Sequence, residues 1–398
     1  MNFSELSLRI KTLTVFRSLL SDPVLSALEK YIDKRAANGA TGELFSAYSQ
    51  FVSNLFTTGF SSLSEYIKDL VENDENVYIK TIGIGKEPSK EISNSVQNEL
   101  QTFQMLADLT ADDLIKGLGD TSFLPRFKEN KTELKSHYNH RVENIDKYGY
   151  GMYARNRMFY IGGDNAIVPV LHPDETKLSD LIDYDREKKL ILDNTYALLN
   201  GKPAANVLLT GDAGTGKSST IKAVVNELYK DGLRILEVRK EQLRKIPSIL
   251  DELTQNPLKF ILFIDDLSFS KNDDDYSALK AILEGSVSAK SNNVVVYATS
   301  NRRHLVKESF SDRDGDDIHR NDTMQEIVSL SERFGLQITF NRPDKNTYLS
   351  IVKHLVADNN IEIDENELEI SAERFALTRG TRSARAARQF VDSLISNQ

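Results

Sequence analysis

The segment GDAGTGKS at residues 211–218 constrains this chain more than any other stretch, because it satisfies G-x-x-x-x-G-K-[ST] in full. Its context also fits. The apolar run VLLT leads in, and STIKAVVNELYK leads out with the periodicity of a helix. A strand, a glycine-rich turn and a helix start, in that order, make a cradle for phosphate. Gly211, Gly214 and Gly216 let the backbone curl so that successive N–H groups face phosphate oxygens, beside the positive end of the following helix. Lys217 is placed to reach the β- and γ-phosphates of a nucleotide, and Ser218 to ligate magnesium. Asp212, Ala213, Thr215 and Ser219 complete the stretch assigned to nucleotide contact. ATP and Mg2+ are the cofactors these residues call for.

A phosphate loop alone hydrolyses nothing, so an acid is required at the end of a neighbouring buried strand. FILFIDDL supplies it: the apolar run 260–264 delivers Asp265 and Asp266 to a carboxyl end, where open α/β sheets place their ligands. Asp265 is assigned to magnesium, and Asp266 to orienting and deprotonating the attacking water.

At 398 residues the chain exceeds the roughly 100–200 of one domain, so two or three cores are expected. Residues 1–147 read as a mostly helical N-terminal domain, with Val24, Leu28 and Ile32, then Leu44, Tyr48, Phe51 and Leu55, recurring at helical intervals. The glycines of TIGIGKEPSKE at 81–91 read as turns, since no GK[ST] follows. Residues 148–177 read as a strand-containing linker whose tyrosines form a packing surface rather than a nucleic-acid platform. From 178 to 343, five β-rich runs (ANVLLT, RILEVRK, FILFIDDL, NVVVYATS and QITF) are separated by helical segments. That alternation predicts an α/β domain with a five-stranded, mainly parallel sheet. Residues 344–398 read as a small helical lid.

There is no cysteine, which excludes disulfides, zinc-thiolate sites, iron–sulfur clusters and thiol nucleophiles together. The opening residues mix charges among apolar ones, unlike a signal peptide, and no run approaches the roughly 20 apolar residues of a membrane span. We place the chain in the cytoplasm, with no membrane partner. A formal net charge of −9 disfavours a nucleic-acid-coating surface. The aspartate-rich insert at 311–322 lacks the twelve-residue calcium pattern and reads as a solvated loop.

This order of motifs resembles the AAA+ superfamily over residues 178–394, and more narrowly a bacterial AAA+ family of unknown function, through DDLSF, TSNRRHL and SLSERFGL. The resemblance implies that Asn301, ending VVVYATSN, is a polar sensor that positions water or detects the γ-phosphate. It implies that Arg333 is an arginine finger serving a neighbouring subunit, hence a homo-oligomer. In RGTRSARAARQF it implies a second sensor, Arg382 or Arg385, with the G-x-R pattern favouring Arg382. LSDLIDYDREKKLIL falls where the superfamily forms its adenine pocket, which implicates Ile182 and Tyr184. Many AAA+ enzymes have Asp-Glu where this chain has Asp265-Asp266. Initiators, helicase loaders and transposition helpers look like Asp-Asp types, which implies slow turnover.

Three functions follow as expectations. The leading one is an oligomeric ATPase, a switch or remodelling machine that meets a protein partner through its N-terminal helices. A DNA-associated ATPase is the second, supported by the Asp265-Asp266 pair and by Arg302-Arg303, although these arginines read better as inter-subunit or structural residues, and it is disfavoured by the acidic charge and the lack of an evident helix-turn-helix or zinc module. A nucleotide-binding scaffold with little hydrolysis is the third, and intact Lys217, Ser218, Asp265 and Asn301 argue against it.

Overall fold

The computed structural model describes residues 2–267, 274–284, 292–301, 330 and 332–396. Arg302, Arg303, the 311–322 insert and parts of the DDLSF and SLSERFGL segments therefore lie outside the described residues. The chain divides into two compact units, Met1–Arg155 and Asn156–Gln398.

The first unit is helical. Asp22 illustrates why its helices begin where they do: its carboxylate accepts from the amides of Val24 and Leu25, and Pro23 occupies the first turn of the helix Pro23–Ala36. Every periodic residue named in the sequence packs inward. Val24, Leu28, Ile32, Tyr48, Phe51 and Leu55 are wholly buried and Leu44 nearly so. Phe16, Phe103 and Tyr138 meet edge to face in the same core, as do Tyr31, Tyr48 and Phe51. One buried acid, Glu99, lies on the helix Lys90–Ala107. It accepts from the amides of Thr14 and Val15 and the Thr14 hydroxyl through one oxygen, and from the Phe16 amide through the other.

The second unit is built on a sheet of seven strands: β1 (Met158–Ile161), β2 (Ile167–Pro169), β3 (Val207–Gly211), β4 (Leu233–Glu237), β5 (Lys259–Ile264), β6 (Val294–Ser300) and β7 (Leu336–Phe340). Their order is β2-β1-β4-β5-β6-β3-β7. All neighbours run parallel except β1 and β2, which form an antiparallel hairpin. The α/β class and mainly parallel sheet match the reading from sequence, but the strand count is corrected from five to seven. The extra pair comes from the stretch read as a linker: β1 has its own register on β4, Met158 opposite Ile235, and so extends the sheet.

Strands β3 and β5 are buried nearly throughout, as expected of parallel strands covered on both faces. The helix Asp185–Leu199 is pinned to the segment leading into β3 and to β6 by Asn194, whose side chain exchanges two hydrogen bonds with the Ala205 backbone and donates to the Tyr297 hydroxyl. Three lid helices, Lys345–Asp358, Glu365–Arg379 and Ala384–Ser396, enclose Tyr348, Val352, Ala372, Ala387, Phe390 and Val391. Among the described residues, no helix is long and apolar enough to cross a membrane.

Candidate nucleotide site

The carboxyl ends of β5, β6 and β3 lie side by side and open into one cleft of about 470 Å³, within the size of a small-ligand pocket. β3 ends at Gly211, where the backbone has a φ of 141°. A Cβ there would stand 2.1 Å from the Phe340 carbonyl oxygen on β7, so the close approach of β3 to β7 excludes any side chain. The loop continues through Gly214 and Gly216, both at positive φ, and Gly216 leads into the helix Lys217–Leu228. Backbone amides and the helix N-terminus thus face the cleft together.

Lys217 is almost fully buried, and its ammonium donates to the carbonyls of Gly211 and Asp212 at 2.8 Å each. A third bond, 3.0 Å, goes to the Asn301 amide oxygen. Burial pulls the Lys217 pKa below the usual lysine value; Asp265, Asp212 and Asp266 oppose the shift and Arg385 adds to it. Asp212 in turn pairs with Arg342 at 3.1 Å.

Ser218 donates to Asp265 at 2.6 Å, which brings two hard oxygen donors together at the head of the helix. These suit Mg2+, which typically takes one or two protein oxygens plus phosphates and water. The Asp265 carboxylate also accepts from the Thr299 hydroxyl, and that hydroxyl accepts from the Asp266 amide at 2.9 Å. Asp266 sits at a φ of 52°, a left-handed conformation costly for a residue with a side chain. Its carboxylate is held by the Asn301 amide nitrogen at 2.7 Å. One continuous chain of bonds therefore runs Lys217, Asn301, Asp266, Thr299, Asp265, Ser218.

The lining also has apolar groups: Leu181, Ile182 and Tyr184, together with Ile351 and Leu355 of the helix Lys345–Asp358. Tyr184 rests against Phe340 with ring centroids 4.9 Å apart and donates to the Asn341 carbonyl. Gly214 lies under the start of the last lid helix, where a Cβ would meet Ser383 and Arg385 at 3.1 Å. The Gly214 carbonyl accepts from the Arg385 amide.

The structure brings together the loop residues 213–219 with Asp265, Asp266, Asn301, Ile182, Tyr184 and Arg385. It does not bring Arg382, which is engaged by both oxygens of Glu373 at 3.0 Å and does not line the cleft. Arg333 also stands outside the lining; its amide closes a turn onto Leu330. Thr299, Arg388 and Asp180 line the cleft from within the quoted motif segments although none was singled out as a site residue, and Thr176 lines it from outside every such segment. Thr299 carries one usable signal: it is a hydroxyl at the carboxyl end of β6, two residues before Asn301.

A family model described as "Protein of unknown function (DUF815)" matches residues 154–398. The chain belongs to that family. The phosphate loop on β3, the acid pair on β5 and the polar residue after β6 make this DUF815 chain an AAA+-type P-loop protein. No curated protein matches it.

Among solved structures, the E. coli MS115-1 HORMA:CdnC:Trip13 complex is 14% identical, over 56% of this chain and 92% of that one, with a TM-score of 0.37. C. elegans PCH-2 is 18% identical over 47% of this chain and 52% of its own, at 0.34. The Thermotoga maritima RuvB Holliday junction branch migration motor is 15% identical over 55% and 72%, at 0.33.

Proposed function

We propose that the chain binds ATP with Mg2+ and hydrolyses it slowly, as an oligomeric switch or remodelling machine acting on a protein partner. One observation carries the reading: the bond chain from Lys217 to Ser218 joins the phosphate loop, both acids and the sensor position at a single cleft end. Loop amides and Lys217 bind the phosphates. Ser218 and Asp265 would hold Mg2+, which neutralises phosphate charge when bound. Asp266 orients a water against the γ-phosphorus and takes its proton as the bond to the β-phosphate oxygen breaks, releasing ADP and phosphate. Asn301 holds the Asp266 carboxylate in line for that task. The short Asp266 side chain and its strained backbone support a modest rate.

Ile182 and Tyr184, among the apolar groups of the lining, take the adenine. Arg385, together with Arg388, takes the second-sensor role in preference to Arg382, because these two arginines line the cleft. Arg333 serves a neighbouring subunit, a role that fits a residue absent from the lining of its own cleft. The helical first unit recruits the partner, and absent cysteine fits the cytoplasm.

Phosphate release and light scattering, with and without ATP and Mg2+, on wild type and Asp266→Ala, test this reading. Nucleotide-dependent assembly, with release lost in the variant, is expected. A protein that neither binds ATP nor releases phosphate would sink it. Salt-sensitive retention on DNA would instead favour the DNA-associated alternative.

A further inference from the structure

Between β2 and the helix Asp185–Leu199 a strap crosses the second unit, and Thr176, Asp180, Leu181 and Ile182 of that strap line the cleft. Its inner end is stiffened by Asp174, whose carboxylate accepts from the Thr176 amide at 2.9 Å and hydroxyl at 2.6 Å. What fastens it is Asn226. The Asn226 amide nitrogen donates to two strap carbonyls, Asp174 at 2.8 Å and Thr176 at 2.9 Å. Its amide oxygen accepts from the Arg157 guanidinium at 2.7 Å. Both hydrogens and the oxygen are used in the only orientation the partners allow, since carbonyls cannot donate and a guanidinium cannot accept.

Asn226 lies on the same helix that opens with Lys217 and Ser218, nine residues on, or about 13 Å along the axis. It reaches neither the loop residues nor the acids. The structure assigns Asn226 as a positioning residue that clasps the strap against the phosphate-loop helix and so shapes the nucleoside end of the cleft. The assignment rests on the nucleotide reading above and deepens it: triphosphate recognition comes from the loop, while nucleoside recognition depends on a clasp remote from it.

Calorimetric titration of Mg·ATP and of Mg·tripolyphosphate separates the two. Wild type should bind ATP more tightly, since only ATP reaches the strap. Asn226→Asp keeps the size and the Arg157 partner but loses both donors. It should lower the ratio of ATP to tripolyphosphate affinity about tenfold, on the scale of one or two hydrogen bonds. Asn226→Ala should do the same without adding charge. Tripolyphosphate binding itself reports that the fold is intact. A ratio within twofold of wild type, whether both affinities fall or neither does, overturns the clasp. A wild type that binds tripolyphosphate as tightly as ATP also overturns it while leaving the phosphate site standing. Binding of neither would overturn the nucleotide reading and the clasp with it.

Discussion

Glu99 in the helical unit and Lys217 in the nucleotide unit are both buried charges, but they are satisfied differently. Glu99 is locked by three backbone amides and one hydroxyl from consecutive residues 14–16, far away in sequence. Those donors form one rigid turn, and the carboxylate ends that turn as a helix cap would. Lys217 is held by two carbonyls of its own loop and by one side chain, Asn301, which is itself tied to Asp266. Both charges have backbone partners; what sets Lys217 apart is its third partner, Asn301, which ties it to the candidate catalytic groups of the proposal above. Burial alone does not distinguish the two; the identity of the partners does.

The sharpest way to break that contrast is Lys217→Ala. If the charge serves chemistry, phosphate release should fall about a thousandfold, the scale of removing a charge-stabilising group from a catalytic centre. A chain that keeps its rate would erase the distinction. Glu99→Ala should do the opposite, costing about 3 kcal/mol in a denaturant titration by leaving buried amides unpaired, while ATP binding persists. Loss of nucleotide binding in that variant would show that Glu99 is more than architecture.

Thr299→Val probes the middle of the bond chain. It removes the hydroxyl that orders Asp265 and the Asp266 amide, and should slow hydrolysis about tenfold, consistent with one hydrogen bond. Asp266→Gly tests the strained φ. Glycine relieves it, so stability should rise by about 1 kcal/mol while hydrolysis is lost. A destabilised variant would mean the Asn301 contact outweighs the strain.

The smallest expected effect is the pH dependence. The folded-state pKa of Lys217 is below its unfolded value, so the unfolded chain binds more protons in between. Stability of the nucleotide unit should therefore rise with pH through that window, and Lys217→Met should flatten the slope. Tyr31 and Tyr48 of the helical unit carry the opposite sign. Burial pushes both up to about 12 from 10.0, so the stability they contribute is present below pH 10 and lost toward pH 12. Tyr348 of the nucleotide unit, also pushed up to about 12, shares that alkaline limb. The contrast between units is thus measured below pH 10.

The legibility of the site follows the same division. Gly211, Lys217 and Ser218 are contiguous or nearly so, and their chemistry is encoded by spacing, so the phosphate end is legible in the residues alone. Asp265 and Asp266 are legible because an apolar run announces a buried strand and the acids follow it. Arg382 shows where pattern fails to place a side chain. The G-x-R spacing points to it, but Glu373, nine residues earlier on the preceding helix, holds it, and Arg385 is the one of the two that lines the cleft. The strands β1 and β2 are recognisable as strands, yet nothing local tells that they extend the sheet.

By itself, then, the sequence determined the elements and the phosphate cradle, because hydrophobic period, glycine placement and motif spacing act over a few residues. It also determined the helical core of the first unit, whose periodic residues all became buried. Only the tertiary structure decided that Thr299, Thr176, Asp180 and Arg388 join that cradle and that Arg385 lines it while Arg382 does not. Convergence depends on strand order and on partners such as Glu373 and Asn226, which compete for a side chain or hold a segment across tens of residues. Those choices are made by packing and hydrogen-bond satisfaction in three dimensions, where separation along the chain no longer measures proximity.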